Sequence, residues 1–365
     1  MENKTFNPLS VSSKFAICGL PIRVDTYKTC SFGCVYCFAN NRKICEFEKE
    51  LKVGKIATVE RKLEKIFVKG KVDSNVFLDT LIANGYDWHL GGMSDPLQPI
   101  EKDLHVTRNL LEVTNKYGIH ILVSTKSNQI YGCDFRPELH SFQLSVSNVH
   151  DRTDIEPGVV TIKERYEFFR RLKDNGFKVG IRIQPFIPGI TTTEIVEMFE
   201  DADHFTLEGI KLVPQNQEHR KECIERLQLN PSDFKQMGLL NLKPEIRLEL
   251  YKPFVEMFEK KHIPYSIADN DLHYLGTSKC CCGDALVNKT TTFSNTFMLH
   301  EYGSNYSKED VDKELHNCGV CDCKCNQYFT SNRQEGCITV QDFYDKRFSR
   351  KNSPFSPQYQ YIENN

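Results

Sequence analysis

Cys30-Ser31-Phe32-Gly33-Cys34-Val35-Tyr36-Cys37 puts three thiols on one short loop, separated by three and then two residues. A closed zinc site takes four ligands, usually as paired CxxC units. A [4Fe-4S] cubane is bound well by thiolates, and three of them leave one of its irons with an open position. The ligand arithmetic therefore favours a three-cysteine cluster loop. A zinc knuckle, with Cys45 as the nearest fourth thiol, is the alternative.

Working outward, strand-like and helix-like segments alternate. Phe15 to Cys18 and Ile22 to Val24 are apolar stretches just ahead of the triad. Val59 to Val68 is helix-prone, Trp88 to Leu90 reads as a strand ending in Gly91-Gly92, and Leu104 to Lys116 reads as a helix. Ile119 to Thr125 and Phe142 to Val146 are strand-like. Thr161 to Asn175 is expected to be helical, with Ile162, Tyr166, Phe169 and Leu172 on one face and Gly176 behind it as a C-cap. Val179 to Phe186, Ile210 to Val213 and Pro264 to Ala268 read as strands. Glu194 to Asp201, Arg220 to Leu227 and Pro244 to Lys261 read as helices. Such alternation with short connections predicts a parallel sheet covered by helices. At this length a partial or full α/β barrel fits, with functional residues at the C-terminal ends of its strands. Residues 1–23 are then an N-terminal extension, 24–275 the barrel with a helical extension, and 276–365 a cysteine-rich module.

Composition narrows the classes. The chain has 365 residues, 39% of them hydrophobic and 26% charged, with a net charge of -2. These values suit a globular protein rather than a disordered one. With a pI near 6.6, no whole-protein basic field draws in nucleic acid. No apolar run approaches the roughly 20 residues of a membrane span, and Met1 to Lys14 lacks the apolar stretch of a signal peptide. The expectation is a cytoplasmic protein without a membrane partner. In that reducing setting its 15 cysteines read as metal ligands rather than disulfides.

Eight of those cysteines lie in the tail: Cys280-Cys281-Cys282, Cys318, Cys321, Cys323, Cys325 and Cys337. An auxiliary iron–sulfur cluster and a structural zinc are both open readings. Neighbouring Cys281 and Cys282 are not expected to bind one ion together. His89, His273 and His300 read as ordinary core or surface histidines. Arg152, Arg165 and Arg182 are candidates either to line a cavity or to pair with Glu156 or Glu208.

The triad, with Tyr36 just before its last cysteine, resembles the signature of the radical S-adenosylmethionine (SAM) superfamily. The resemblance implies a partial (β/α)6 barrel, a [4Fe-4S] cluster on Cys30, Cys34 and Cys37, and SAM at the open iron. It also implies reductive cleavage to a 5′-deoxyadenosyl radical that abstracts hydrogen. An electron donor such as flavodoxin or ferredoxin is implied as a partner. Further segments resemble the spore photoproduct lyase-like branch: Gly91-Gly92-Met93-Ser94-Asp95-Pro96-Leu97-Gln98-Pro99-Ile100-Glu101, Glu156-Pro157-Gly158 with Arg165, and Arg182 to Gly189. From it, Gly91, Gly92, Ser94 and Asp95 are expected at the SAM amino group and Lys126 at its carboxylate. Ser147 is expected as a further polar contact, and Tyr36 beside cluster and adenine. Where the lyase has a cysteine that returns a hydrogen atom, this chain has Gly92, which argues against repair of spore photoproduct. Cys281 or Cys282 is the candidate replacement donor. The branch implies a lyase or transferase-like reaction on a nucleic-acid or nucleotide substrate. A peptide or protein maturase with an auxiliary cluster and a non-catalytic metal-binding scaffold are the competing readings.

Overall fold

Alternation of inward polar and outward apolar side chains organises the main sheet. In the computed structural model, which describes residues 4–12, 14–41, 51–324 and 337–348, thirteen strands form three sheets. They are β1 (Lys4–Phe6), β2 (Leu9–Val11), β3 (Ile22–Val24), β4 (Lys52–Gly54), β5 (Trp88–Leu90), β6 (Ile121–Thr125) and β7 (His140–Ser145). β8 (Lys178–Phe186), β9 (His204–Gly209), β10 (Lys211–Leu212), β11 (Phe234–Met237), β12 (Leu239–Leu242) and β13 (Tyr265–Ile267) follow. The eight-stranded sheet runs β13-β9-β8-β7-β6-β5-β3-β2. All its pairings are parallel except β2 with β3. This is the expected partial α/β barrel, with β13 closing out the parallel run and β2 as an antiparallel edge.

Side chains alternate along a strand with period two. Ile22, Val24, Trp88, Leu90, Ile121, Val123, Phe142, Leu144, Ile181 and Ile183 all join the main apolar core. The intervening positions, among them Arg23, His89, Ser124, Gln143 and Arg182, face the barrel interior and hydrogen-bond to one another or line its cavities. Helices Phe77–Ala83, Val106–Asn115, Ile162–Asp174 and Pro244–Lys261 flank the sheet.

Local chemistry sets the element ends. Thr161 and Glu164 form a capping box that starts Ile162–Asp174. On that helix Phe168 is buried beside Phe169, whereas Tyr166 stays 36% exposed and packs edge-on against Phe199. The helix read over Leu104 to Lys116 breaks at His105, which adopts a left-handed φ of 52°. The buried Glu101 carboxylate accepts from the amides of Thr107 and Arg108, each at 2.9 Å, and so caps the new helix start. The strand read over Ile210 to Val213 is displaced: the parallel strand is β9, and the chain leaves the sheet after Gly209. There the Gly209 amide donates to Asp269 at 3.1 Å, and a Cβ would lie 3.0 Å from the Tyr251 hydroxyl. β10 instead pairs antiparallel with β12.

Behind β13 the chain folds back on both ends of the barrel. Residues 280–286 stopper its N-terminal mouth: Thr206 and Ser266 donate to the Cys281 carbonyl at 3.3 and 2.9 Å, and Gln143 donates to that of Cys282 at 3.4 Å. Farther on, Phe293, Phe343 and Tyr344 join Phe15 and Phe77 in an aromatic nest with ring centroids 4.8–6.5 Å apart around Phe15. No helix among the described residues is long and apolar enough to cross a membrane. Because Phe15 is fully buried at this junction, Phe15→Ala is expected to cost about 3–5 kcal/mol. A lower denaturant midpoint, with early proteolysis of the C-terminal segment, checks this.

Candidate active site

Three strand ends converge on one cavity. The triad loop follows β3, Gly91 to Asp95 follow β5, and Lys126 follows β6; all line the same opening. The loop is held from three sides. The Ser31 amide donates to Gln98 Oε1 at 2.8 Å, while Gln98 Nε2 donates to the Thr29 carbonyl at 2.8 Å. Asn40 Nδ2 donates to the Cys30 carbonyl at 3.1 Å. From the far side, Gly158 donates to the Phe32 carbonyl at 2.9 Å, so close that a Cβ at 158 would sit 2.8 Å from the Phe32 backbone. That approach explains the glycine of Glu156-Pro157-Gly158.

Glu156 is buried at the centre of a polar knot. Its Oε1 accepts from Lys126 Nζ at 2.9 Å and from the Tyr36 hydroxyl, and its Oε2 faces Arg165 at 3.4 Å. Burial pushes this carboxyl up, but the Lys126 and Arg165 cations outweigh that and hold it down at about 2. Lys126 Nζ also lies 5.5 Å over the Tyr36 ring. Ser147 is fully buried and contacts the Tyr36 hydroxyl at 3.3 Å rather than the cavity.

Ser94 and Asp95 use their side chains on the protein itself. Ser94 donates to the Tyr27 carbonyl at 2.5 Å. Asp95 accepts from the Leu97 amide at 2.9 Å, Thr125 Oγ1 at 2.8 Å and the Lys126 amide at 2.6 Å, which locks the end of β6 onto the end of β5. Gly91, at φ 93°, could not carry a side chain: its Cβ would lie 2.4 Å from the Ser124 carbonyl. Gly92 backs onto the Arg23 guanidinium, with the nearest approach for a Cβ at 3.1 Å.

A second cavity adjoins the first and shares Phe38, Gly92, Met93 and Lys211 with it. Arg182 donates to Glu208 at 2.6 Å, and Lys211 pairs with the same carboxylate. Thus Arg182 faces inward, as its strand position implies, and is paired structurally. Arg165 pairs likewise with Glu156, and Arg152 with exposed Asp154 at 2.6 Å. Lys14 also lines this cavity and makes no ion pair among the described residues. His89 contacts Ser124 at 2.8 Å; burial and then the Arg182 and Arg23 charges press it down to about 3, so it is neutral at pH 7.

The tail cysteines fall into two groups. Cys318, Cys321, Cys323 and Cys337 pack with the main core near the Lys324–Thr339 bridge; Cys325 lies outside the described residues, as does Cys45. Cys280, Cys281 and Cys282 sit at the opposite mouth of the barrel from the triad and line neither cavity. The sequence did not expect Cys281 and Cys282 to bind one ion together, but their sulfurs are 4.0 Å apart and that of Cys18 lies within 4.8 Å of both. Sequence reading missed Cys18, whose partner lies 263 positions away with no spacing motif to connect them.

No protein-family model matches the chain. Over 202 residues, 53% of this chain and 68% of the other, it is 26% identical to an uncharacterized protein of Methanocaldococcus jannaschii. Over 177 residues, 47% of this chain, it is 24% identical to a radical SAM Nα-GlyT isomerase of Pseudomonas phage M6, but that match spans only 34% of the phage protein. Among solved structures, spore photoproduct lyase complexed with dinucleoside spore photoproduct superposes with a TM-score of 0.51 at 15% identity, covering 70% of this chain and 80% of that one. A mutant of the same lyase with bound AdoMet and the dinucleoside superposes with a TM-score of 0.50 at 15% identity, covering 71% and 80%. The chain therefore shares the fold of these solved structures.

Glu156→Gln leaves Lys126 and Arg165 facing a neutral amide in a buried site, a loss of about 3–5 kcal/mol at pH 7. The wild-type carboxyl is depressed in the fold, so its contribution is fully present above the ordinary value of 4.5 and is lost as pH falls towards about 2. Urea unfolding of both proteins should show the gap at pH 7 and its narrowing on acidification.

Proposed function

We propose that the chain reductively cleaves SAM at a cluster held by Cys30, Cys34 and Cys37 and abstracts hydrogen from a phosphate-bearing nucleotide or nucleic-acid substrate. The observation that carries this is one cavity walled by the triad loop, by Gly91 to Asp95 and by Lys126, adjoining a second whose mixed lining sets Lys14, Arg23, Lys211 and Arg247 beside Glu208, Asp269 and Asp271 and leaves Lys14 without an ion pair among the described residues. The donor set fits a cluster rather than a single ion: three thiols on one loop, with their sulfurs not drawn into the tight grouping that a lone ion imposes. When bound, cluster and SAM together supply the one-electron cleavage that produces the hydrogen-abstracting fragment.

The chain's own part is positioning. Lys126 is the cation for the SAM carboxylate, oriented by Glu156 and by the face of Tyr36. Asp95 fixes the Lys126 backbone, so the lysine leaves its strand at a set angle. The Gly91 to Ser94 backbone lines the cavity where the ammonium is assigned. Phe32, Phe38 and Met93 supply apolar wall that limits water. In the second cavity, the crowding of protein around it and the Lys211 charge both lower the pKa of Lys14, whose side chain still reaches solvent. A substrate phosphate would offset both effects, which supports a nucleotide over a neutral substrate.

Two measurements test this. Anaerobically reconstituted protein, reduced with dithionite and given SAM, is expected to form 5′-deoxyadenosine, and Cys34→Ala to form none. Lys14→Ala is expected to weaken binding of a phosphate-bearing substrate about tenfold or more, in line with a charged hydrogen bond. The loss should shrink at high salt and vanish for the matching nucleoside; equal losses for both would remove the phosphate assignment.

A further inference from the structure

We propose that Cys18, Cys280, Cys281 and Cys282 form a mononuclear, tetrahedral thiolate site for a zinc-class ion, which staples the segment ahead of the barrel to the segment behind it. The sulfurs of Cys18, Cys281 and Cys282 all lie within 4.8 Å of one another. Cys18 and Cys281 are 3.7 Å apart, and Cys281 and Cys282 are 4.0 Å apart. Four sulfurs around one zinc at about 2.3 Å stand roughly 3.8 Å from each other by tetrahedral geometry. A cubane instead spreads its cysteines over separate irons and holds them farther apart. The spacing therefore selects a single ion over a second iron–sulfur cluster. The Cys280 thiol, which interacts with those of Cys281 and Cys282 but lies outside the 4.8 Å grouping, is the fourth ligand that would close in on the ion.

The surroundings are those of a thiolate site. The Leu20 amide donates to Cys18 Sγ at 3.4 Å, the kind of outer contact that orients a metal ligand. Asp284 accepts from the amides of Lys279 and Cys280 at 2.8 and 2.9 Å and folds the 279–284 loop so that three consecutive cysteines can turn inward. Gly283, at φ 97°, packs so tightly on the His204 ring that a Cβ would lie 2.4 Å away. Lys14 and Arg182 face the sulfurs, and four thiolates with one divalent ion leave a net negative charge for those cations to balance. No cysteine pair here is bonded, and none of the three buried tail thiols lines either cavity. A staple accounts for that placement where a hydrogen-atom donor does not.

Metal analysis of the full chain, purified anaerobically in a Cys318→Ser/Cys321→Ser background to remove competing tail ligands, tests the assignment. Expected are one zinc per chain and a sulfur-only zinc shell by X-ray absorption, with the zinc lost in added Cys18→Ser or Cys281→Ser. Iron bound at the triad should persist in both. Cys34→Ala should do the reverse, losing iron and keeping zinc, so a failure of the cluster assignment is distinguishable from a failure of this one. Should the serine variants not fold, the absorption spectrum of the background protein decides. A sulfur-only zinc shell upholds the site; iron–iron scattering that persists in Cys34→Ala, or a shell of nitrogen and oxygen, overturns it. Zinc retained in folded Cys18→Ser and Cys281→Ser overturns it as well.

Discussion

The buried Glu156 carboxylate is the constraint from which the rest of the site follows. It touches Lys126 from β6, Tyr36 from the triad loop and Arg165 from the helix after β7. Three separate pieces of chain therefore have to arrive together before this charge is satisfied. A buried charge with good partners contributes little net stability compared with apolar packing, but removing one partner is expensive. The knot thus acts less as glue than as a specification of geometry. It sets where the triad loop sits relative to the end of β6, and the neighbouring Pro157-Gly158 turn clamps Phe32 on the same loop.

A second consequence is the division of the barrel interior into layers. At the C-terminal mouth lie the triad, Gly91 to Asp95 and Lys126. In the middle, Gln143, Arg182, Glu208 and Lys211 form a continuous polar belt in which each charge has a partner. At the N-terminal mouth the cysteines of the 280–282 loop close the bottom. The belt excludes direct contact between the two thiol groups, so each is free to hold a different metal. It also separates the open end, where the triad loop lies, from the end closed by residues 280–286.

How far this was legible in the sequence depended on range. The triad loop, Gly91-Gly92, the helix Pro244–Lys261 and the strands β5 and β6 were readable because each is specified locally, by spacing or by period. β9 was misplaced because strand-like residues, Ile210, Leu212 and Val213, continue past Gly209, and only Asp269 and Tyr251, distant in sequence, show where the strand must stop. Tyr166 had the right spacing for the core but the wrong surroundings. The Cys18 group was invisible for the same reason: a loop ahead of β3 and a loop behind β13 meet only after the sheet has formed. Lys126 was readable as a strand-end cation, but its anchoring by Glu156 and Asp95 was not.

Gly92 shows how one fold passes from one chemistry to another. The resemblance places a hydrogen-returning cysteine at this position in the lyase. Here the space beyond the Gly92 Cα is occupied by Arg23, with Nε 3.1 Å and Nη2 3.3 Å from where a Cβ would be. Arg23 is itself tied to Asp25 at 3.2 Å, and Asp25 accepts from the Met93 amide at 2.9 Å. Beside Gly92, a held cation and its carboxylate therefore stand near the wall between the two cavities. A thiol there would serve a substrate radical that must recover a hydrogen atom. A guanidinium there would instead suit an anion, in line with the proposed substrate. The same strand end thus turns backbone towards the first cavity and sets the Arg23 charge in the second, at one of the four positions where the two cavities meet.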